Sequence, residues 1–296
     1  MEDIQPNDRD SIMYRNSILQ RLNKVGEAPT MLTISLEIDR LVRDPNTSAA
    51  QIGRVIRLDP ALTGKVLKIA NSAIYATRHR IVSLQQAIAR LGFSEIRRIT
   101  MSIAVINSFK NYFVDYDKFW VHSITTAYLA TALNRKTSRK ANEDELYING
   151  LLHDIGVLVL DQYFTTIYKK VFEIAVKRRF DLPLVENKIL GINHAEVGSF
   201  LLNRWKLPEN VVNVVLNHHQ PQNLDPEYDT LGKIIYLANF ICNNRGIDNG
   251  SGFFPEGFYD DIWDELGLSV EEVPLIIDSV LLETEKAKEI LRLGGR

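Results

Sequence analysis

The chain has 296 residues, 45% hydrophobic and 24% charged, the balance of a globular protein with material for one large or two ordinary domains. A formal net charge of -2 gives no global attraction to nucleic acid or to an anionic membrane, and the single cysteine, Cys242, excludes an intramolecular disulfide framework. The acidic, polar stretch Met1 to Asp10 has no apolar leader core, and no apolar run reaches membrane-spanning length, so a cytoplasmic protein is expected.

Ile12, Ile18, Leu19, Leu22 and Val25 recur at helical spacing and predict an exposed entry helix that stops at Gly26. Leu32 to Val42 predicts a second helix, ended at Asp44-Pro45 because proline cannot continue it. Asn46-Thr47-Ser48 offers an N-cap for a helix over Ala49 to Leu58, and Asp59-Pro60 restarts the pattern with proline at a first helical position. Ser48 to Asn71 has the form of a helix-turn-helix with Lys65, Lys68, Arg78 and Arg80 nearby for phosphates. Ordinary helix packing is the preferred reading, because the chain as a whole is not basic. Ser83 caps a helix running to Gly92, and another runs from Ser94 to Phe109, with its Arg97-Arg98 pair expected on a solvated face. A helix from Asp117 to Leu133 and a surface loop from Arg135 to Lys140 follow.

Glu143 to Gln162 predicts one central helix, apolar on most sides from Leu151 to Leu160, carrying the adjacent pair His153-Asp154. Further helices are predicted at Phe164 to Arg179, Pro183 to Ile192, Asn193 to Trp205 and Pro208 to His219. Gln220 to Asp229 reads as a connector, and Leu231 to Asn243 as an apolar helix containing Asn239 and Cys242. Asn244 to Gly252 is expected to be a mobile loop, since glycine and asparagine have little to bury. Two helices fill Tyr259 to Leu293, with Ser269 and Glu272 placed as a capping box. No segment carries a convincing strand pattern, so the expected class is all-α, a multi-helix bundle.

An imidazole beside a carboxylate is costly to bury unless a metal ion or a hydrogen-bond network relieves both. Five of the six histidines, His122, His153, His194, His218 and His219, fall on or beside predicted helices, and only His79 stands apart. With Asp154 they form a donor set suited to one or two divalent first-row ions, iron, manganese or zinc, with the aspartate able to bridge. Successive helical residues point about 100° apart, so His218 and His219 are not expected to play identical roles. Any one of these histidines alone reads more readily as a core residue; five beside an apolar helix favour a site.

His122, His153-Asp154, His194 with Gly198, and His218-His219 together resemble the ordered signature of the HD metal-dependent phosphohydrolase superfamily. Upstream, Leu58-Asp59-Pro60-Ala61-Leu62-Thr63, Lys68-Ile69-Ala70-Asn71-Ser72-Ala73 and Ser83-Leu84-Gln85-Gln86-Ala87-Ile88 resemble HDOD, the HD-related output domain of bacterial signalling proteins. The resemblance implies an HDOD domain over 24–220, with an N-terminal helical subdomain (24–110) packed on an HD-like subdomain (111–220). The entry helix (1–23) would precede it, and a C-terminal extension (221–296) would complete the HD-like bundle. It implies a metal site at His122, His153, Asp154, His194, His218 and His219, with Asn239 in the place of the family's last aspartate ligand.

The chain departs from the related HD-GYP phosphodiesterases, which cleave cyclic di-GMP. Val157 stands where they carry a lysine, and Gln220-Pro221 stands where they have glutamate and then a Gly-Tyr-Pro segment. Gly250 to Pro255 resembles that segment superficially but lies beyond the Asn239 helix. The expected function is therefore a signalling or regulatory protein with a metal-binding pocket and without robust catalysis, its partner a signalling protein or a small nucleotide, with neither membrane nor nucleic acid engaged. The alternative is a metal-dependent phosphohydrolase or phosphodiesterase acting on a cyclic dinucleotide or other nucleotide.

Overall fold

A computed structural model describes residues 8–75, 80–110, 112–252, 257–269, 271 and 273–295. Among the described residues there is no strand, and the architecture is all-α as expected. Arg78, His79, the Phe253–Pro255 part of the glycine-rich segment and the Glu272 member of the capping box lie outside the described residues. The chain divides into a larger compact unit, residues 1–27 and 110–281, and a smaller one, residues 28–109 and 282–296. The last residues, 282–296, cluster with the smaller unit.

The larger unit opens with α1 (Asp8–Leu22), which is not the exposed helix that its polar composition suggested. Ile18 and Leu22 are fully buried, and Arg15 reaches across to the carbonyl of Gly191 at 2.6 Å and to Glu196 at 3.1 Å. Two buried apolar residues together with these polar contacts dock it.

The smaller unit is built from α2 (Thr30–Val42), α3 (Ala49–Ile56), α4 (Pro60–Ala70) and α5 (Leu84–Ile106), with the end of the C-terminal helix. Its punctuation is local chemistry. Ser48 and Gln51 form a reciprocal capping box, the Asp59 carboxylate accepts from Leu62 N ahead of Pro60, and Ser83 caps α5. Gly92 (φ 81°) breaks α5 where the sequence placed a helix boundary, a left-handed conformation that glycine adopts without penalty. Arg97 and Arg98 are buried, contrary to the solvated face expected of them, because Asp39 on α2 accepts from Arg97 Nη1 at 2.9 Å. A paired guanidinium can be buried where a bare one cannot.

The larger unit continues with α6 (Tyr116–Asn134), α7 (Glu143–Leu152), α8 (Ile155–Arg178), α9 (Leu182–Leu190), α10 (His194–Arg204), α11 (Glu209–Asn217), α12 (Asp229–Asn244) and the short α13 (Ile262–Leu266). The last helix, α14 (Val273–Gly294), runs through the division at Leu281. The single helix expected over Glu143 to Gln162 is two, separated at His153-Asp154, and α8 instead runs on through a kink at Phe164 (φ -134°). Helical periodicity could not reveal the first break, because apolar residues continue on both sides of it. None of the helices among the described residues is long and apolar enough to cross a membrane.

Candidate metal centre

The break between α7 and α8 falls at the His-Asp pair. His153 is the C-cap of α7 and Asp154 the residue before α8, and both are buried with Asp154 aimed between its neighbours. Gly156 makes this approach feasible, since a Cβ there would overlap the carbonyl of His194 and lie 2.8 Å from the nitrogen of Gly198. The start of α8 and the start of α10 therefore cross backbone to backbone. Gly150 on α7 allows an equally close approach, against the backbone of Ala127 on α6.

Around Asp154 the five sequence-predicted histidines come together. Oδ2 faces His153 Nε2 at 3.2 Å and His122 Nε2 at 3.4 Å; Oδ1 faces His194 Nε2 and His218 Nε2, each at 3.3 Å. His219 Nε2 lies 2.9 Å from His194 Nε2. The donors fall into two groups that share the aspartate, His122 and His153 on one side, His194, His218 and His219 on the other, the donor atoms of each lying within 4.8 Å of one another. His79 lies outside the described residues, and Asn239 is buried in the cavity wall, its Oδ1 accepting from Asn243 at 2.6 Å.

The ring tautomers follow from partners that can only accept. His122 Nδ1 donates to the carbonyl of Ile247 at 2.7 Å, His153 Nδ1 to that of Gly150 at 2.8 Å, and His218 Nδ1 to that of Val215 at 2.7 Å. His194 Nδ1 donates to Glu186 Oε2 at 2.7 Å, and Tyr168 donates to the other oxygen of Glu186 at 2.6 Å. In the neutral form of these rings every Nε2 that points at Asp154 is thereby left with its lone pair, the form in which imidazole binds metal. His122 Nε2 and His153 Nε2 stand 3.2 Å apart, so two lone pairs face each other unless a cation or an added proton intervenes. His218 Nε2 is buried and makes no hydrogen bond. A divalent ion in each group would satisfy these atoms, and the residues present fit it.

Without an ion, protons and burial set the charges. Burial by itself would raise the Asp154 carboxyl, but the charge of His153 and hydrogen bonds from His122, His153 and His194 hold it well below the usual range. Burial would lower His194, yet Glu186 and Asp154 outweigh it and push it up to about 10. Burial pulls His218 down to about 4 and holds His219 well below its usual value, with neighbouring imidazoles adding to the effect at both.

Three contributors escaped the sequence reading. Glu186 carried a faint signal, a lone carboxylate among the apolar positions Leu182, Val185 and Leu190 of α9. Ile247 and Asn249 carried none, being part of the stretch expected to be mobile. Asn249 donates to Asp154 Oδ2 at 2.7 Å and its own oxygen accepts from Ser251, and both residues are buried. The loop is held because its backbone and amides satisfy the site. Asn249, on this loop, is the amide hydrogen-bonded to the carboxylate.

A cavity of about 610 Å³ opens over the cluster, within the larger unit. Its wall includes Asn187, Asn217, Gln220, Asn239, Tyr236 and Phe240, and no lysine or arginine among the described residues. Val157, at the position of the HD-GYP lysine, is fully buried in α8 and offers the cavity no charge.

The HDOD domain profile matches residues 28–221, about two thirds of the sequence. The chain belongs to the HDOD family. This HDOD chain is 28% identical over 223 residues to an uncharacterised protein of Treponema pallidum (strain Nichols), covering 75% of the chain but 43% of that longer protein. Its fold is similar to that of a candidate signal-transduction protein from Marinobacter aquaeolei VT8, with a TM-score of 0.79 and 24% identity over 99% of this chain and 68% of the other. It is also similar to a candidate phosphohydrolase from Shewanella amazonensis SB2B, with a TM-score of 0.72 and 21% identity over 95% of this chain and 99% of the other. At these identities the likeness is one of fold.

Proposed function

We propose that this HDOD chain is a regulatory signalling module whose larger unit holds divalent metal at Asp154 in a structural or ligand-sensing pocket, without rapid catalysis. The observation that carries the reading is a full set of oriented donors beneath a cavity whose described wall has no lysine or arginine. A bound ion would offset the carboxylate and act as a Lewis acid toward a ligand oxygen. The chain's own residues do the orienting: Glu186 fixes His194, the Ile247 carbonyl fixes His122, and Asn249 fixes Asp154. The described wall offers no lysine or arginine to neutralise a phosphodiester as charge develops on it, which is the largest contribution in phosphoryl chemistry. The Marinobacter relative's description supports the signalling half of the reading.

The second reading, a metal-dependent phosphohydrolase or phosphodiesterase, is favoured by one feature, the aspartate shared between two donor groups, as in two-ion hydrolases. One preparation decides between them. Elemental analysis of the purified protein is expected to find iron, manganese or zinc that is lost in His153→Ala, and assays with cyclic dinucleotides and generic phosphoesters to show no turnover above background. Turnover abolished by Asp154→Asn would replace the regulatory reading with the hydrolytic one, and a metal-free protein that takes up no ion would end both.

A further inference from the structure

Charge is segregated along this chain. The smaller unit, residues 28–109 and 282–296, holds fifteen basic and eight acidic side chains, a net +7; with the whole at -2, the larger unit carries -9. The eight carboxylates of the smaller unit are all engaged within it. Glu37 pairs with Arg40, Asp39 with Arg43 and Arg97, Glu95 with Arg98, and Glu283, Glu285 and Glu289 with Lys286, Lys288 and Arg292. Asp44 and Asp59 accept from backbone nitrogens at helix starts and turns. Arg54, Arg57, Lys68, Arg80 and Arg90 are exposed and have no carboxylate partner among the described residues. The excess is therefore real local charge and is not cancelled by ion pairs.

Some of it is gathered at one place. Lys68 on α4, Arg80 in the approach to α5 and Arg292 on α14 line a single depression of about 610 Å³ in the smaller unit, with Leu67, Val82 and Leu293 as its apolar wall. The arrangement is braced. Asn71 Oδ1 accepts from Ile81 N and its Nδ2 donates to the Ile81 and Leu67 carbonyls, each at 2.8 Å, which pins the segment bearing Arg80 against the end of α4. Arg292 shares its guanidinium with Glu289 at 2.7 Å, so Lys68 and Arg80 are the cations most available to a ligand.

We propose that this depression binds an organic phosphate: Lys68, Arg80 and Arg292 take the phosphate oxygens, and the Leu67, Val82 and Leu293 wall takes the apolar portion of the ester. Phosphate fits better than carboxylate because three cations lining one depression match its several oxygens and higher charge. The cations that phosphate recognition needs, and that the wall over the histidine cluster lacks, are thus found in the other unit. The site does not depend on the metal-pocket reading.

The test is an equilibrium titration of the full chain at low ionic strength in excess EDTA, with adenosine monophosphate, adenosine and a labelled 12-mer oligonucleotide. Saturable binding of the monophosphate, weakened about tenfold or more by Lys68→Glu with Arg80→Glu and unchanged in His153→Ala, is the expected result. Adenosine should bind at least about tenfold more weakly, since the charge-assisted contacts are lost with the phosphate. Oligonucleotide affinity that exceeds that of the monophosphate and falls steeply with salt would identify the source as a nucleic-acid backbone, and equal or weaker affinity a small phosphate ester. Equal binding of adenosine and its monophosphate, insensitivity to the charge reversal, or no binding of either phosphate would overturn the proposal.

Discussion

His122 and His153 show how single hydrogen bonds settle the character of the site. Each commits its Nδ1 proton to a carbonyl, so their Nε2 lone pairs confront one another at 3.2 Å across Asp154. On the other side Glu186 does for His194 what a carbonyl does for His122, His153 and His218, and with a full charge. Replacing Glu186 with glutamine keeps the size and removes that charge, and should weaken metal binding by about 10–100-fold, read by competition with a chelator. Unchanged affinity would show that Glu186 is only packing. The metal-free protein also has a defined pH response. His218, lowered to about 4 in the fold, gives stability that is present above its unfolded value of 6.5 and lost as pH falls toward 4. His194, raised to about 10, gives stability that is complete below 6.5 and lost as pH rises toward 10. Thermal melts in EDTA should therefore peak near pH 6.5 and decline on both sides, and a flat profile between pH 4 and 10 would contradict these assignments.

The helices contribute mainly by where they stop. The chain leaves the helical path at Asp154 (φ -96°, ψ 8°), so α8 departs from the line of α7 while His153 and Asp154 stay side by side at the break. The break is stabilised by Gly156, which lets α8 touch the first turn of α10. Gly156→Ala should destabilise the larger unit by about 1–3 kcal/mol or more, because the obstacle is backbone and cannot rotate away. Denaturant unfolding measures the loss, and elemental analysis should show reduced metal, since His194 must retreat. The docked α1 is open to a similar test. Leu22→Ala is expected to cost about 2–5 kcal/mol, the range for deleting a fully buried leucine side chain, whereas a frayed, exposed helix would show almost no change in the denaturation midpoint.

Across the molecule, the units divide the chemistry as well as the contacts. The donors all belong to the larger one, while the uncompensated positive charge belongs to the smaller. Metal at a hundredfold excess over its dissociation constant should stabilise the state that binds it by about 2.7 kcal/mol. Hydrogen exchange should place that protection on α6, α7, the start of α8, α10 and α11, which supply the ligands. Protection spread evenly over α2 to α5 would argue against a centre confined to the larger unit.

Much of this was legible in the sequence because it depends on neighbours along the chain. The caps at Ser48, Asp59 and Ser83, the break at Gly92 and the proline restarts act within a few residues, and helical class follows from them and from apolar spacing. The His-Asp pair and its partner histidines were recognisable as a set because polar donors in apolar surroundings are costly. What the sequence could not state was convergence and support. Glu186, Ile247 and Asn249 gain their roles from residues 8, 125 and 95 positions away, a distance over which no local propensity carries information. The burial of Arg97 and of α1 likewise depended on partners in other helices. Local chemistry determined which helices form and which side chains carry donors, and only tertiary packing decided which of those donors face one carboxylate, because desolvation and hydrogen-bond pairing are properties of neighbours in space.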